Sequence, residues 1–158
     1  GIPSSNFLQI GLLSMIPWGV TAVVQVLWAW NSDRTGERRW HTVSGFAITC
    51  CGLLFAAMSG GNPYLMLVGL ILAQCGVQAT SVCIFSLPAS FVLGAAAATG
   101  FALITTLGNL AGYASPYMIG VLRQGSGGFT STFFALACMT VIGSAIILMT
   151  PALRKRPA

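Results

Sequence analysis

Residues 31–39 read Asn31-Ser32-Asp33-Arg34-Thr35-Gly36-Glu37-Arg38-Arg39 and hold five of the nine charged residues in the 158-residue chain, including both of its acids. On either side lie apolar runs, about 9–30 and about 41–59, with no Asp, Glu, Lys or Arg in them. Each is close to the roughly 20 residues that a helix needs to cross about 30 Å of hydrocarbon. A short charged segment between two such runs is the pattern of a helical hairpin in a bilayer. There, every backbone polar group must be satisfied within its own segment.

Outward from that hairpin the pattern continues. Further spans are expected at about 63–88, 95–122 and 129–150, again without formal charge. The third begins at Pro63 after the turn Gly60-Gly61-Asn62, and proline suits a first helical turn because the N–H it lacks has no partner there anyway. The fold class is therefore all-α and polytopic, with five transmembrane helices joined by short links. The link between the last two spans contains Gly125-Ser126-Gly127-Gly128. Hydrophobic residues make up 56% of the chain and charged residues 6%, against about 25% charged in a typical soluble domain. Nothing in the spacing leaves room for a soluble domain.

The net charge of +5 does not describe a nucleic-acid binder, whose cations would line one exposed face. Instead Arg34, Arg38, Arg39, Arg154, Lys155 and Arg156 all fall on one side of a five-span topology, and Arg123 falls on the other. The positive-inside rule makes the crowded side cytoplasmic, with the C-terminus there and the N-terminus outside. Trp28, Trp30 and Trp40 flank the basic loop, as interfacial aromatics do. Gly1-Ile2-Pro3 offers no initiator Met and no basic region before the first apolar run, so preceding spans are expected. Cys50, Cys51, Cys75, Cys83 and Cys138 are odd in number, lack a C-x-x-C pair and lie in apolar runs. They read as small buried hydrophobes.

No Ser/His/Asp set, carboxylate pair or metal cluster is available, so neither an enzyme nor a metal or cofactor site is expected. The one histidine, His41, sits beside Trp40 and reads as interfacial. What remains is uncharged polarity. Gln74, Gln78 and Ser81 share one face of the third span. Thr105, Asn109 and Gly112 share one face of the fourth, with Tyr113 one turn beyond Asn109 and Pro116 one turn after Gly112. A carboxamide in lipid must find a partner, either another helix or a water-filled site. Small residues are expected to mark helix contacts: Gly69, Ala73 and Gly76 on the third span, Gly108 and Gly112 on the fourth.

The loop Asp33-Arg34-Thr35-Gly36-Glu37-Arg38-Arg39 resembles the D-R-x-G-R-R loop of the major facilitator superfamily, which joins the second and third helices of each six-helix half. Ile10 to Pro17, Ser32 to His41, Leu87 to Phe91, Gly108 to Tyr113 and Pro116 to Gly120 are similar, in that order, to the superfamily's anion:cation symporter branch. The resemblance covers most of residues 9–122. It implies that the five spans are helices eight to twelve of the fold, a partial C-terminal half, and that the N-terminal half lies elsewhere. It departs from the family at Ala29, where the loop motif has glycine, and at Thr105, often asparagine in relatives.

The resemblance further implies transport of a small organic anion, usually with protons, by alternating access in a bacterial cytoplasmic membrane. Asn109 would face the substrate cavity, Thr105 and Ser86 would assist, and Gln78 is a further candidate. Asp33, Arg34, Gly36, Arg38 and Arg39 would form the cytoplasmic gating loop. The implied partners are the anion, protons, lipid and the missing half. The alternative is a small structural or assembly membrane protein with no transport activity of its own.

Overall fold

A computed structural model of the chain describes residues 7–91, 94–125 and 129–150. The basic tail at 154–156 and the glycine-rich link at 126–128 lie outside the described residues. Five helices follow one another: α1 (Phe7–Thr35), α2 (Arg38–Ala57), α3 (Pro63–Phe91), α4 (Ala95–Gly125) and α5 (Phe129–Met149). Arg38–Ala57, Pro63–Ser86 and Thr130–Met149 are each long and apolar enough to cross a membrane. α1 and α4 are as long, but polar residues and glycine dilute them, among them Gln25 and Asn31 in α1 and Thr105, Thr106 and Asn109 in α4. The chain is a polytopic, all-helical membrane protein.

The helices run further than the apolar runs suggest. α1 continues through Asn31–Thr35, so the nine-residue charged segment is mostly helix and the turn itself is Gly36-Glu37. Local hydrogen bonds hold it there: Thr35 Oγ1 donates to the Asn31 carbonyl at 3.0 Å, and Gly36 N–H closes on the Ser32 carbonyl at 3.0 Å. Gly36 has φ +66°, the left-handed conformation that ends many helices and that glycine adopts without steric cost. The α2–α3 connection reverses through Gly60 and Gly61, both at positive φ. Asn62 then caps α3, its Oδ1 accepting from the backbone N–H groups of Tyr64 and Leu65 at 3.0 and 3.4 Å, with Pro63 in the first turn as the sequence predicts.

α2 and α3 pack backbone to backbone. On α2, Gly45, Thr49, Gly52 and Ala56 recur at intervals of four, three and four. On α3, Gly69, Ala73, Gly76 and Thr80 do the same, and the two antiparallel stripes interlock. A Cβ placed on Gly69 would stand 2.7 Å from the Ala56 nitrogen, and one on Gly76 would stand 2.5 Å from the Thr49 nitrogen. One on Gly52 would strike the Ala73 nitrogen, and one on Gly45 the Thr80 hydroxyl. Lipid tails are as apolar as leucine, so helix association in a bilayer depends on such close packing rather than on water expulsion. Gly69, Ala73 and Gly76 thus do what the sequence predicts. Gly108 and Gly112 do not: a Cβ on either would meet nothing within 4 Å. Periodicity finds a face of small residues, but it cannot say whether a neighbour covers that face.

α5 completes the packed unit. Leu53, Ala56, Ala73, Phe133 and Ala137 form a buried cluster where α2, α3 and α5 meet. The outer edge of the Phe46 ring occupies the space left by Gly143, whose added Cβ would come within 3.1 Å of it. Gly143→Ala is expected to push that ring aside and cost about 1 kcal/mol of overpacking. A thermal melt of the detergent-solubilised protein, lowered by a few degrees, checks it. α1 lies against α3, while α4 touches the rest lightly, chiefly where Phe85 and Phe101 meet at a 5.4 Å ring separation.

Candidate functional site

Two polar regions emerge, one at an end of the bundle and one at mid-depth. The end region is built by the turn after α1. Arg38 Nη2 donates to Asp33 Oδ1 at 3.4 Å, and its Nη1 donates to the Ser86 carbonyl at 3.3 Å. Arg39 Nη2 donates to the Leu148 carbonyl at the end of α5. The Leu148 carbonyl is in the last turn of α5, where a cation satisfies an acceptor that the helix leaves open and opposes the negative end of its dipole, whereas the Ser86 carbonyl lies five residues before the end of α3. Two adjacent arginines at the start of α2 therefore tie down the ends of α1, α3 and α5. Beneath them Ser32, Thr42 and Cys83 are buried. The Cys83 thiol donates to Ser32 Oγ at 3.7 Å, and Thr42 Oγ1 donates to the Arg38 carbonyl at 2.7 Å.

His41 belongs to the same region. Its Nδ1 lies 2.9 Å from the Glu37 carbonyl, which only accepts, so Nδ1 carries the proton. Nε2 is then left to accept from Asn31 Nδ2 at 3.1 Å. The ring also packs edge-on against Trp28 at 5.8 Å. These contacts fix the first turn of α2 to the last turns of α1. Arg34 points elsewhere, its guanidinium 5.9 Å from the Trp30 ring centre.

The mid-depth region is more open. Asn109 lies near the middle of α4 and is exposed, with Thr105 one turn away and half-buried. Thr105 Oγ1 donates to the Phe101 carbonyl at 2.9 Å, an arrangement that leaves its lone pairs able to accept. Pro116 sits inside α4 and has no N–H to offer the Gly112 carbonyl, so the face of Asn109 gains a free acceptor. Tyr113 and Tyr117, 86% and 76% exposed, continue this uncovered surface. Among the described residues, no hydrogen bond joins Asn109 or Thr105 to the other two sequence-predicted residues. Ser86 sits under Arg38 at the end region, its Oγ donating to the Cys83 carbonyl at 2.8 Å. Gln78 instead meets Gln25 of α1, with Nε2 to Oε1 at 3.5 Å.

Gln25 escapes sequence reasoning. It is a lone carboxamide in an otherwise apolar stretch of α1, and its partner is 53 positions away. A concavity of about 260 Å³ lies between α2 and α5 along Phe46, Cys50, Cys51 and Val141. Its lining is apolar and suits lipid chains rather than a charged solute.

These features define a segment of a polytopic, all-helical membrane protein, with tied helix ends on one face and uncharged polar groups midway along loosely covered helices. The comparisons bear out the resemblance to the major facilitator superfamily. It is 34% identical over 142 residues, 90% of its length, to a protein of Agrobacterium vitis named as a tartrate transporter. It is 30% identical over 148 residues to the metabolite transport protein NicT of Pseudomonas putida, and 37% identical over 73 residues to the MFS transporter prlL of a fungal species. The chain spans about a third of the length of the first two, 31% and 34%, and 15% of the last. No family model matches the chain, and no solved structure matches it.

Proposed function

We propose that this chain forms one wall of a secondary carrier for small organic anions, a partial C-terminal half corresponding to helices eight to twelve. It works with a preceding half by proton-coupled alternating access in a bacterial cytoplasmic membrane. The observation that carries the reading is the polar, uncovered face of α4 at mid-depth, in a chain whose relatives are named as transporters. Carriers of this kind rock two halves around a site near the midplane, and Asn109 stands at the depth where such a site belongs. Its carboxamide donates to a carboxylate oxygen, while Thr105 Oγ1, its proton on the Phe101 carbonyl, and the Gly112 carbonyl accept from substrate hydroxyls. The tied end, with Asp33, Arg34, Gly36, Arg38 and Arg39, is the cytoplasmic gate. Ser86 serves that gate through its carbonyl on Arg38 and not the substrate directly. Lys and Arg within the spans are absent from this sequence, so the charge that balances the anion comes from the preceding half.

Asn109→Ala tests the reading in the whole carrier, reconstituted in proteoliposomes and assayed for uptake of labelled tartrate. Loss of a hydrogen bond to a charged group costs about 1.5–3 kcal/mol. KM is therefore expected to rise about tenfold or more. An unchanged KM rejects Asn109 as a substrate contact.

A further inference from the structure

The Gln25–Gln78 contact has a geometry that a simple helix clasp does not require. Ser86 is level with Arg38 at the charged end, and Gln78 lies eight residues before it, about 12 Å deeper at about 1.5 Å per residue. Gln25 lies ten residues before the end of α1, about 15 Å deep by the same rise. Half of an approximately 30 Å hydrocarbon core is about 15 Å. Both carboxamides therefore stand near the bilayer midplane, as does Asn109 at the middle of α4.

The pair is also unsaturated. A carboxamide offers two N–H donors and an acceptor oxygen with two lone pairs. One bond of 3.5 Å between Gln78 Nε2 and Gln25 Oε1 leaves the Gln25 amino group and the Gln78 oxygen with nothing across the α1–α3 seam among the described residues. Exchanging oxygen and nitrogen in both side chains, which is equally acceptable sterically, changes only which glutamine supplies which group. The dyad always presents one NH₂ and one C=O. Both side chains are only partly buried, so these groups are open to a small solute. Thr21, one turn above Gln25, has its hydroxyl committed to the Pro17 carbonyl at 2.6 Å and does not compete.

We infer that Gln25 and Gln78 form a substrate subsite that reads a hydroxyl next to a carboxylate, the hydroxyl donating to the free carboxamide oxygen and the carboxylate accepting from the free NH₂. This rests on the transport reading above and narrows it to hydroxylated carboxylates. An anion without the hydroxyl would leave the carboxamide oxygen unpaired in a desolvated site, and an unpaired buried acceptor is what discriminates against the poorer ligand.

The test uses Gln25→Met and Gln78→Met, which keep side-chain length and packing while removing both hydrogen-bonding groups, together with the double variant. Uptake of tartrate and of its unhydroxylated counterpart succinate is measured in the reconstituted whole carrier. The unsubstituted carrier is expected to favour tartrate. Each variant is expected to shrink the tartrate-to-succinate ratio of kcat/KM about tenfold, chiefly through the KM for tartrate, with the double variant no worse than the singles. If the ratio is unchanged while both solutes slow equally, the pair is a clasp and the inference is overturned. If the ratio is unchanged but Asn109→Ala still raises KM, only the subsite falls. If the unsubstituted carrier takes up neither acid, the transport reading falls and takes the subsite with it.

Discussion

Gly76→Leu is expected to abolish the folded protein. The Cβ alone would stand 2.5 Å from the Thr49 nitrogen and 2.7 Å from the Gly45 carbonyl oxygen. Both are backbone atoms of a helix and cannot rotate away as a side-chain tip could. α2 and α3 would have to part, and parting them at one point of an interlocked stripe loosens Gly45, Gly52 and Gly69 as well. Overpacking of an ordinary core costs about 1–3 kcal/mol. Here the cost lies above that range, because the steric contact is main chain on both sides and close packing is the chief force joining helices in lipid. Gly52→Leu is expected to behave alike. Cys51→Leu, one position away but exposed on α2, is expected to leave the protein intact. Size-exclusion profiles of the three variants in mild detergent check this. A monodisperse Gly76→Leu protein with an unshifted melting temperature would show that the two stripes do not carry the packing.

That interface also shows how much the sequence yields. The charged turn is legible because part of its information is local: Gly36 and the Asp33–Arg38 pair act within one helix end and the next helix start, whereas the bonds of Arg38 to Ser86 and of Arg39 to Leu148 span 48 and 109 positions and leave no local sign. The glycine at positive φ and the Asn62-Pro63 start of α3 are legible for the same reason. Half of the α2–α3 seam, Gly69, Ala73 and Gly76, can be read from spacing, but the matching half on α2 is masked by the larger residues between its small ones. The G-x-x-x-G of α4 carries an equally good pattern and meets no neighbour among the described residues, since pattern reports a face and not its cover. Of the candidate site, the position of Asn109 near the middle of α4 follows from the span it sits in. Ser86 looks like a cavity residue in the sequence and lies under Arg38 in the structure, because a polar residue near a helix end is equally suited to both places. Gln25 leaves no trace in periodicity, since a carboxamide's partner across a bundle has no fixed separation along the chain.

Arg38→Ala is expected to slow transport about tenfold while leaving KM within about twofold. Arg38, at the start of α2, bonds to α1 and α3 through one guanidinium, at 3.4 Å to Asp33 and 3.3 Å to the Ser86 carbonyl. The Asp33 carboxylate is 69% exposed, and exposed pairs contribute roughly 0–1 kcal/mol, so the ion pair alone does not account for so large a loss. The Ser86 carbonyl is the weightier partner, since a fork that spans the pair holds the end of α3 in register with α1. The proposed substrate groups lie about 12–15 Å deeper by helix rise, so affinity is expected to be spared while the rate of passing between states is not. Asp33→Asn is expected to slow uptake less than Arg38→Ala, and Arg38→Lys to fall between them, because an ammonium can hold one partner but not bridge two in a fixed fork. Uptake kinetics of the three variants in proteoliposomes give the order. If Asp33→Asn were as damaging as Arg38→Ala, the ion pair rather than the α3 carbonyl would be the element that governs the gate. If all three ran at the unsubstituted rate, the turn would serve only to set the orientation of the helices.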